Sequence, residues 1–250
     1  MNRNVLQVIA TTRAPIARLV AALLATLVLA GCETASPIVA KDNRVFQPSF
    51  RITSSVEEDR PGSAKPQTGR VIEFGLTRAK GSDEQTLATG QQSVIFNNNT
   101  FVAPVTLKNE FDITYADLSF RWRKFFRERS FGLELAGGAG YASLDMAVAS
   151  DTQSTSMRYG SYGVQGGVGF IWRIQPSTSL HARLSGFASR GTTGITDLGR
   201  YDFYLAQALG DNFSLRAGYT KWEVNGSGGA GTSDLRMVFS GPVAGIGMDF

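Results

Sequence analysis

From Arg70 onward, apolar and polar residues alternate with period two in eight segments of about ten residues. The first sets Ile72, Phe74 and Leu76 against Val71, Glu73, Gly75 and Thr77. The second sets Ala116, Leu118, Phe120 and Trp122 against Asp117, Ser119, Arg121 and Arg123. In the third, Phe131, Leu133, Leu135 and Tyr141 oppose Gly132, Glu134 and Gly140. In the fourth, Tyr162, Val164, Val168, Phe170 and Trp172 oppose Gln165, Gly167, Gly169 and Arg173. The fifth to seventh carry Leu180, Ala182 and Leu184; Tyr201, Phe203 and Leu205; and Phe213, Leu215, Ala217 and Tyr219 on their apolar faces. The last ends Ala244, Ile246, Met248, Phe250. Leu235, Met237 and Phe239 stand in the opposite phase, which predicts a bulge or break at 240–242. No stretch beyond Arg70 offers eighteen consecutive apolar residues, so a helical span is excluded there. The pattern predicts an all-β chain, a closed antiparallel up-and-down transmembrane β-barrel of about eight strands over 68–250.

Soluble lipocalin-like barrels alternate too, but their inside is apolar. Here one face carries Glu73, Asp117, Arg121, Arg123, Glu134, Arg173, Arg183, Asp202, Arg216 and Asp249, five acids and five bases. Such a face suits a polar interior in which carboxylates and guanidiniums satisfy one another. The other face carries almost no charge until the strand ends, where Arg78 and Lys221 can snorkel to headgroups. Connections read as short after strands 2, 4 and 6 and longer after the others, the asymmetry of periplasmic turns and outer loops. That orientation puts both chain ends in the periplasm. It also gathers Trp122, Phe131, Trp172, Phe213 and Phe250 at one interface and Tyr141, Tyr162, Tyr201 and Tyr219 at the other.

The start of the chain has a different character. Arg3, Arg13 and Arg18 precede an uncharged apolar run over 19–30, too short to span a bilayer and right for a signal-peptide core. It ends Leu29-Ala30-Gly31-Cys32, which resembles the lipobox of bacterial lipoproteins. The resemblance implies diacylation of Cys32 after removal of 1–31. The alternative is ordinary signal-peptidase cleavage near Gly31 with Cys32 left free. Glu33 follows, which in the enterobacterial sorting rule permits transfer to the outer membrane. Residues 32–67 hold Pro37, Pro48, Pro61 and Pro66 among Ser, Thr and charges, and read as a periplasmic tether. Three of the 25 basic residues and none of the 21 acidic ones lie in the leader, leaving 22 against 21, so the precursor's +4 gives no case for nucleic acid. One cysteine and one histidine exclude a disulfide framework and multi-Cys or multi-His metal sites, and no cofactor is expected.

The terminal GPVAGIGMDF, with Ile246, Met248 and Phe250, resembles the closing strand that the barrel-assembly machinery recognises. The whole of 68–250 resembles small OmpA-type outer-membrane barrels. The resemblance implies outer-membrane lipids and the assembly and lipoprotein-processing machineries as partners, with the surface ligand open. Some small barrels modify lipids with a His and a nearby Ser. His181 and Ser185 share a face, but His181 points inward near the periplasmic end, so catalysis is not expected. Glycines at 137–140 and 163–169 open no helix and precede no Lys-Ser/Thr, so they are not phosphate loops. Val94-Ile95-Phe96, in the longest loop, could bind a partner as an exposed tip, but self-packing or extension of strands 1 and 2 is expected. The expected function is a non-catalytic envelope or surface-interaction barrel with a plugged lumen; the alternatives are a narrow pore and, behind it, a lipid-modifying enzyme.

Overall fold

The alternating segments become strands throughout the computed structural model, which describes residues 37–42, 44–55, 69–126, 130–191, 194–229 and 232–250. All lie in one compact unit, Ala35–Phe250. The leader and Cys32 fall outside the described residues. The chain is all-β: β1 (Ile38–Asp42), β2 (Gln47–Ser55), β3 (Gly69–Leu87), β4 (Val94–Phe96), β5 (Asn99–Phe101), β6 (Val105–Phe126), β7 (Phe131–Ala149), β8 (Ser154–Gln175), β9 (Thr178–Ser189), β10 (Gly194–Ala208), β11 (Phe213–Ser227) and β12 (Leu235–Asp249). Ten of them form one mixed sheet in the order β1-β12-β11-β10-β9-β8-β7-β6-β3-β2, and β12 also pairs with β2. The ladder therefore returns to its start, through β2, β3 and β6 to β12.

Two expectations are corrected here. The circuit has nine strands, not about eight, because residues 47–55 of the expected tether supply β2. β2 runs antiparallel to β3 (Phe50 opposite Leu76) and parallel to β12 (Phe50 beside Ile246). β1 continues that seam, parallel to β12 from Ile38 beside Leu235 to Asp42 beside Phe239. The described chain thus starts and stops at opposite ends of β12. We call the end holding Phe250 proximal and the other distal.

The second correction concerns 240–242. β11 pairs with β12 without a register shift from Phe213 opposite Met248 to Gly226 opposite Leu235. The pairing irregularities fall instead at Ile195/Asp197 and Arg173/Gln175. Leu235, Met237 and Phe239 are buried, on the same face as Val243 and Gly247. The strand is unbroken; what changes along it is which face is apolar.

That change recurs around the circuit. β6 and β8 have 22 residues and β3 and β7 have 19, about twice the 9–11 residues a membrane-spanning strand needs. In the proximal half the exposed face is apolar (Ile72, Phe74, Leu118, Phe120, Leu133, Leu135, Val168, Phe170) and the buried face is charged. In the distal half the exposed face is polar (Glu84, Thr86, Lys108, Glu110, Ser156, Arg158). There the buried face is apolar, with Leu107, Phe111, Ile113, Leu144, Met146, Val224, Met237 and Phe239 in one cluster. Connections are short: β7 and β8 are joined by residues 150–153 alone. The predicted long outer loops are mostly strand, the exception being residues 88–104.

Those residues form a second, two-stranded sheet, β4 with β5. Asn97 and Asn98 both have positive φ (47° and 60°), as a two-residue type I′ hairpin turn requires. Val94, Phe96 and Phe101 join the distal core, so this loop packs on the protein itself, as expected.

Candidate functional site

The charged face of the proximal half converges on two carboxylates. β3 carries Glu73 and β7 carries Glu134, both buried. Arg121 Nη1 donates to Glu134 at 2.6 Å and Arg121 Nε lies 3.1 Å from Glu73. Arg123 Nε donates to Glu134 at 2.7 Å. Arg183, from β9, reaches both, with Nη1 3.2 Å from Glu73 and Nε 3.0 Å from Glu134. Arg51, from β2, also donates to Glu73. Four guanidiniums thus share two carboxylates. Alternation places them: inward residues two apart on one strand, Arg121 and Arg123, stack along the strand and meet Glu134 of the neighbouring β7. Room comes from Gly169, where an added Cβ would stand 3.2 Å from the Arg183 side chain and 3.3 Å from Glu134.

A second group lies beside it. Arg200 Nε donates to Asp202 at 2.7 Å, and Thr220 donates to the same carboxylate at 2.6 Å. Asp117 accepts from Gln165 Nε2 at 3.1 Å, and Tyr115 donates to Gln165 at 2.8 Å. Arg216 lies over the Tyr204 ring, 5.6 Å from its centroid, and Arg173 over Phe125 at 4.8 Å. Asp249, in the last strand, is the fifth carboxylate of this face. All ten charged residues singled out from the sequence therefore point to one face, and six of them join Arg51 and Arg200 in direct ion pairs.

Those two arginines were not anticipated. Arg51 sits in the segment taken for a tether, and Arg200 precedes the first apolar residue by which strand 6 was recognised. They matter for the balance: seven arginines now face five carboxylates in the proximal half, where equal numbers were expected. Arg183, Arg200 and Arg173 also lie over the rings of Tyr204, Trp222 and Phe125, each 4.8–5.5 Å from the centroid.

His181 sits in this face, 5% exposed, its ring stacked on Tyr204 at 4.7 Å. Its Nε2 lies 2.9 Å from Ser179 Oγ, and that serine rather than Ser185 is its neighbour. Nδ1 has no hydrogen-bond partner, so no carboxylate orients the ring as a catalytic base requires.

Distal to the charges, aromatic rings from different strands of the circuit meet in the interior. Phe111 meets Phe239 at 5.2 Å, Phe239 stacks on Trp222 at 5.7 Å, and Tyr115 contacts both Trp222 and Phe187 edge-on. Trp222 Nε1 donates to Gln47 of β2 at 2.6 Å. The β4–β5 hairpin lies over this layer. Its rim is tied to the other distal turns by Ser233 N to Ile95 O at 2.6 Å, Asn97 Nδ2 to Thr155 at 3.2 Å and Gln153 Nε2 to Thr100 O at 2.9 Å.

The exposed face carries its own sorting. Trp172 stacks on Phe131 at the proximal edge of the apolar band, and Tyr141 meets Tyr162 at its distal edge in a tilted contact, centroids 4.5 Å apart. Just distal to the band, Lys80, Asp112, Asp145 and Arg158 line up across four neighbouring strands. They line a shallow groove of about 440 Å³ together with Glu110 and Ser156. Arg78 donates to Asp112 at 2.8 Å and, by that hydrogen bond, holds its carboxyl below the usual range. Among the described residues there is no group of three metal-ligating side chains. Comparison with protein-family models, curated proteins and solved structures finds no match to this chain.

Proposed function

We propose that the chain is a bacterial outer-membrane β-barrel, lipidated at Cys32, that acts as a closed, non-catalytic envelope or surface-interaction scaffold. The observation that carries this reading is the inversion of polarity along single unbroken strands. A protein in water has no use for an exposed band of Phe, Leu, Val and Trp around charged residues, whereas a bilayer demands it. Tyrosines and tryptophans at the two edges of that band fit the two interfaces of a membrane. Beyond the band the same strands carry polar residues outside and a dry core inside, as a part standing in water would.

Two features support closure rather than conduction. Arginines and carboxylates occupy the interior at the level of the apolar band, and the Phe111–Phe239–Trp222 stack with the hairpin fills it further out. The closing strand, with Ile246, Met248 and Phe250, fits assembly from the periplasmic side, which makes the distal half the outer one. Purified refolded protein should migrate as a heat-modifiable monomer, fractionate with outer membranes and give no steady single-channel current in planar bilayers. Steady conductance would reinstate the pore. Recovery of an unfolded or purely soluble species would remove the membrane reading.

A further inference from the structure

A barrel with an even number of strands returns its chain to the side from which it started. This circuit has nine, closed by a parallel seam, and so it does not. We propose that the mature N-terminus leaves on the outer face, and that the acyl group expected on Cys32 anchors in the outer leaflet, at the cell surface. The inference rests on the proposed membrane reading and deepens it.

The seam is specified by named contacts. At its proximal end, Thr53 and Asp249 are paired neighbours, and Phe250 N donates to Thr53 O at 2.9 Å. At its distal end, Ile38 N donates to Asp234 O at 2.8 Å. β1 is held on its other side by side chains rather than a ladder. Gln85 accepts from Val39 N at 3.0 Å and donates to Pro37 O at 3.1 Å, Asp83 accepts from Lys41 N at 2.7 Å, and Asn109 donates to Val39 O at 2.9 Å. Ile38 and Ala40 are buried in the distal core. The start of the described chain is therefore bound into the distal half.

Chain length then decides between the two leaflets. Cys32 precedes Pro37 by five residues, which fully extended reach at most about 17 Å. On β12, Leu235 lies seven residues distal to Pro242, the first exposed residue of its apolar stretch. Seven residues rise about 23 Å along the strand, or roughly 18 Å along the membrane normal at a tilt near 40°. Five residues plus a thioether-linked glycerol can return over that height to the near leaflet. Reaching the far leaflet adds an apolar band about 25 Å tall, which five residues cannot cross. An inner-leaflet anchor would require β1 to leave the sheet.

The test places an epitope in the full-length chain between Glu33 and Pro37, and in a second version within the 127–129 connection at the proximal end. Intact Gram-negative cells should bind antibody to the first tag, and added protease should remove it. The second should respond only after the outer membrane is permeabilised. Mass spectrometry of the released N-terminal peptide should find Cys32 diacylated. The first tag hidden until permeabilisation, or both tags exposed, overturns the topology. A surface tag on unmodified Cys32 overturns the anchor. Absence of a heat-modifiable species from the outer-membrane fraction identifies failure of the barrel reading itself, separately from either outcome.

Discussion

Glu73 accepts from or lies against Arg51, Arg121, Arg123 and Arg183, and all five side chains are buried. Removing one partner of a buried ion pair leaves uncompensated charge and costs about 3–5 kcal/mol. Glu73→Ala should therefore lower unfolding stability in phospholipid vesicles by that order, as read from the denaturant midpoint. Lys221→Ala should change little, because its pairing with Glu223 is exposed. Neighbouring glycines separate in the same way. Gly169 faces the knot, so Gly169→Leu drives a side chain into Arg183 and Glu134 and should cost roughly 1–3 kcal/mol. Gly166, three residues earlier on the exposed face, would bring a Cβ no nearer than 3.7 Å to Ala136 O, an ordinary van der Waals contact. Gly166→Ala should stay within about 0.5 kcal/mol of the parent in the same titration.

At the level of elements, the β4–β5 hairpin is separable from the ring. β3 is paired with β6 over its whole length, from Gly69 opposite Arg123 to Leu87 opposite Val105. Replacing residues 90–102 by a short turn should leave the heat-modifiable fold intact. It removes three fully buried apolar side chains, Val94, Phe96 and Phe101, each worth about 1.5–3 kcal/mol of burial. The expected result is a lower midpoint together with new binding of a hydrophobic dye at the distal end. Loss of the folded species would mean that the hairpin is needed for ring closure. β2 has the opposite standing: β1 covers β12 only over Leu235–Phe239, so without β2 the edges of β3 and of β12 from Val243 to Asp249 would be open.

For the whole molecule, the inversion of polarity predicts position-dependent tolerance of charge. Leu135, on the exposed apolar band, and Thr86, on the exposed distal face, are both surface residues in water's terms. In a bilayer they differ. Leu135→Lys should cost about 2–4 kcal/mol in vesicles, while Thr86→Lys should be near neutral. Equal effects of the two would place the apolar band outside the membrane. The seven-to-five excess of arginine over carboxylate within that band makes cation permeation the least expected property of the interior.

How much of this was legible in the chain follows from range. Period two is a local consequence of the pleat, so all eight later strands, their exposed aromatics and their inward charges could be read residue by residue from Ile72 to Phe250. The candidate site was legible to the same extent: Glu73 and Glu134 with Arg121, Arg123 and Arg183 share a parity that no register can change. Tertiary structure alone decided the rest. β2 is short, proline-containing and polar, and it becomes a strand only because two edges 196 positions apart along the chain, Gln47 and Val243, meet in the closed ring. That pairing brought in Arg51, upset the charge balance and sent the start of the described chain to the distal end. The phase change at Phe239 likewise carries no local signal distinguishing a bulge from an interior that turns apolar. Only the unbroken ladder to β11 chose between them, because burial depends on what lies across the ring and not on the neighbours in sequence.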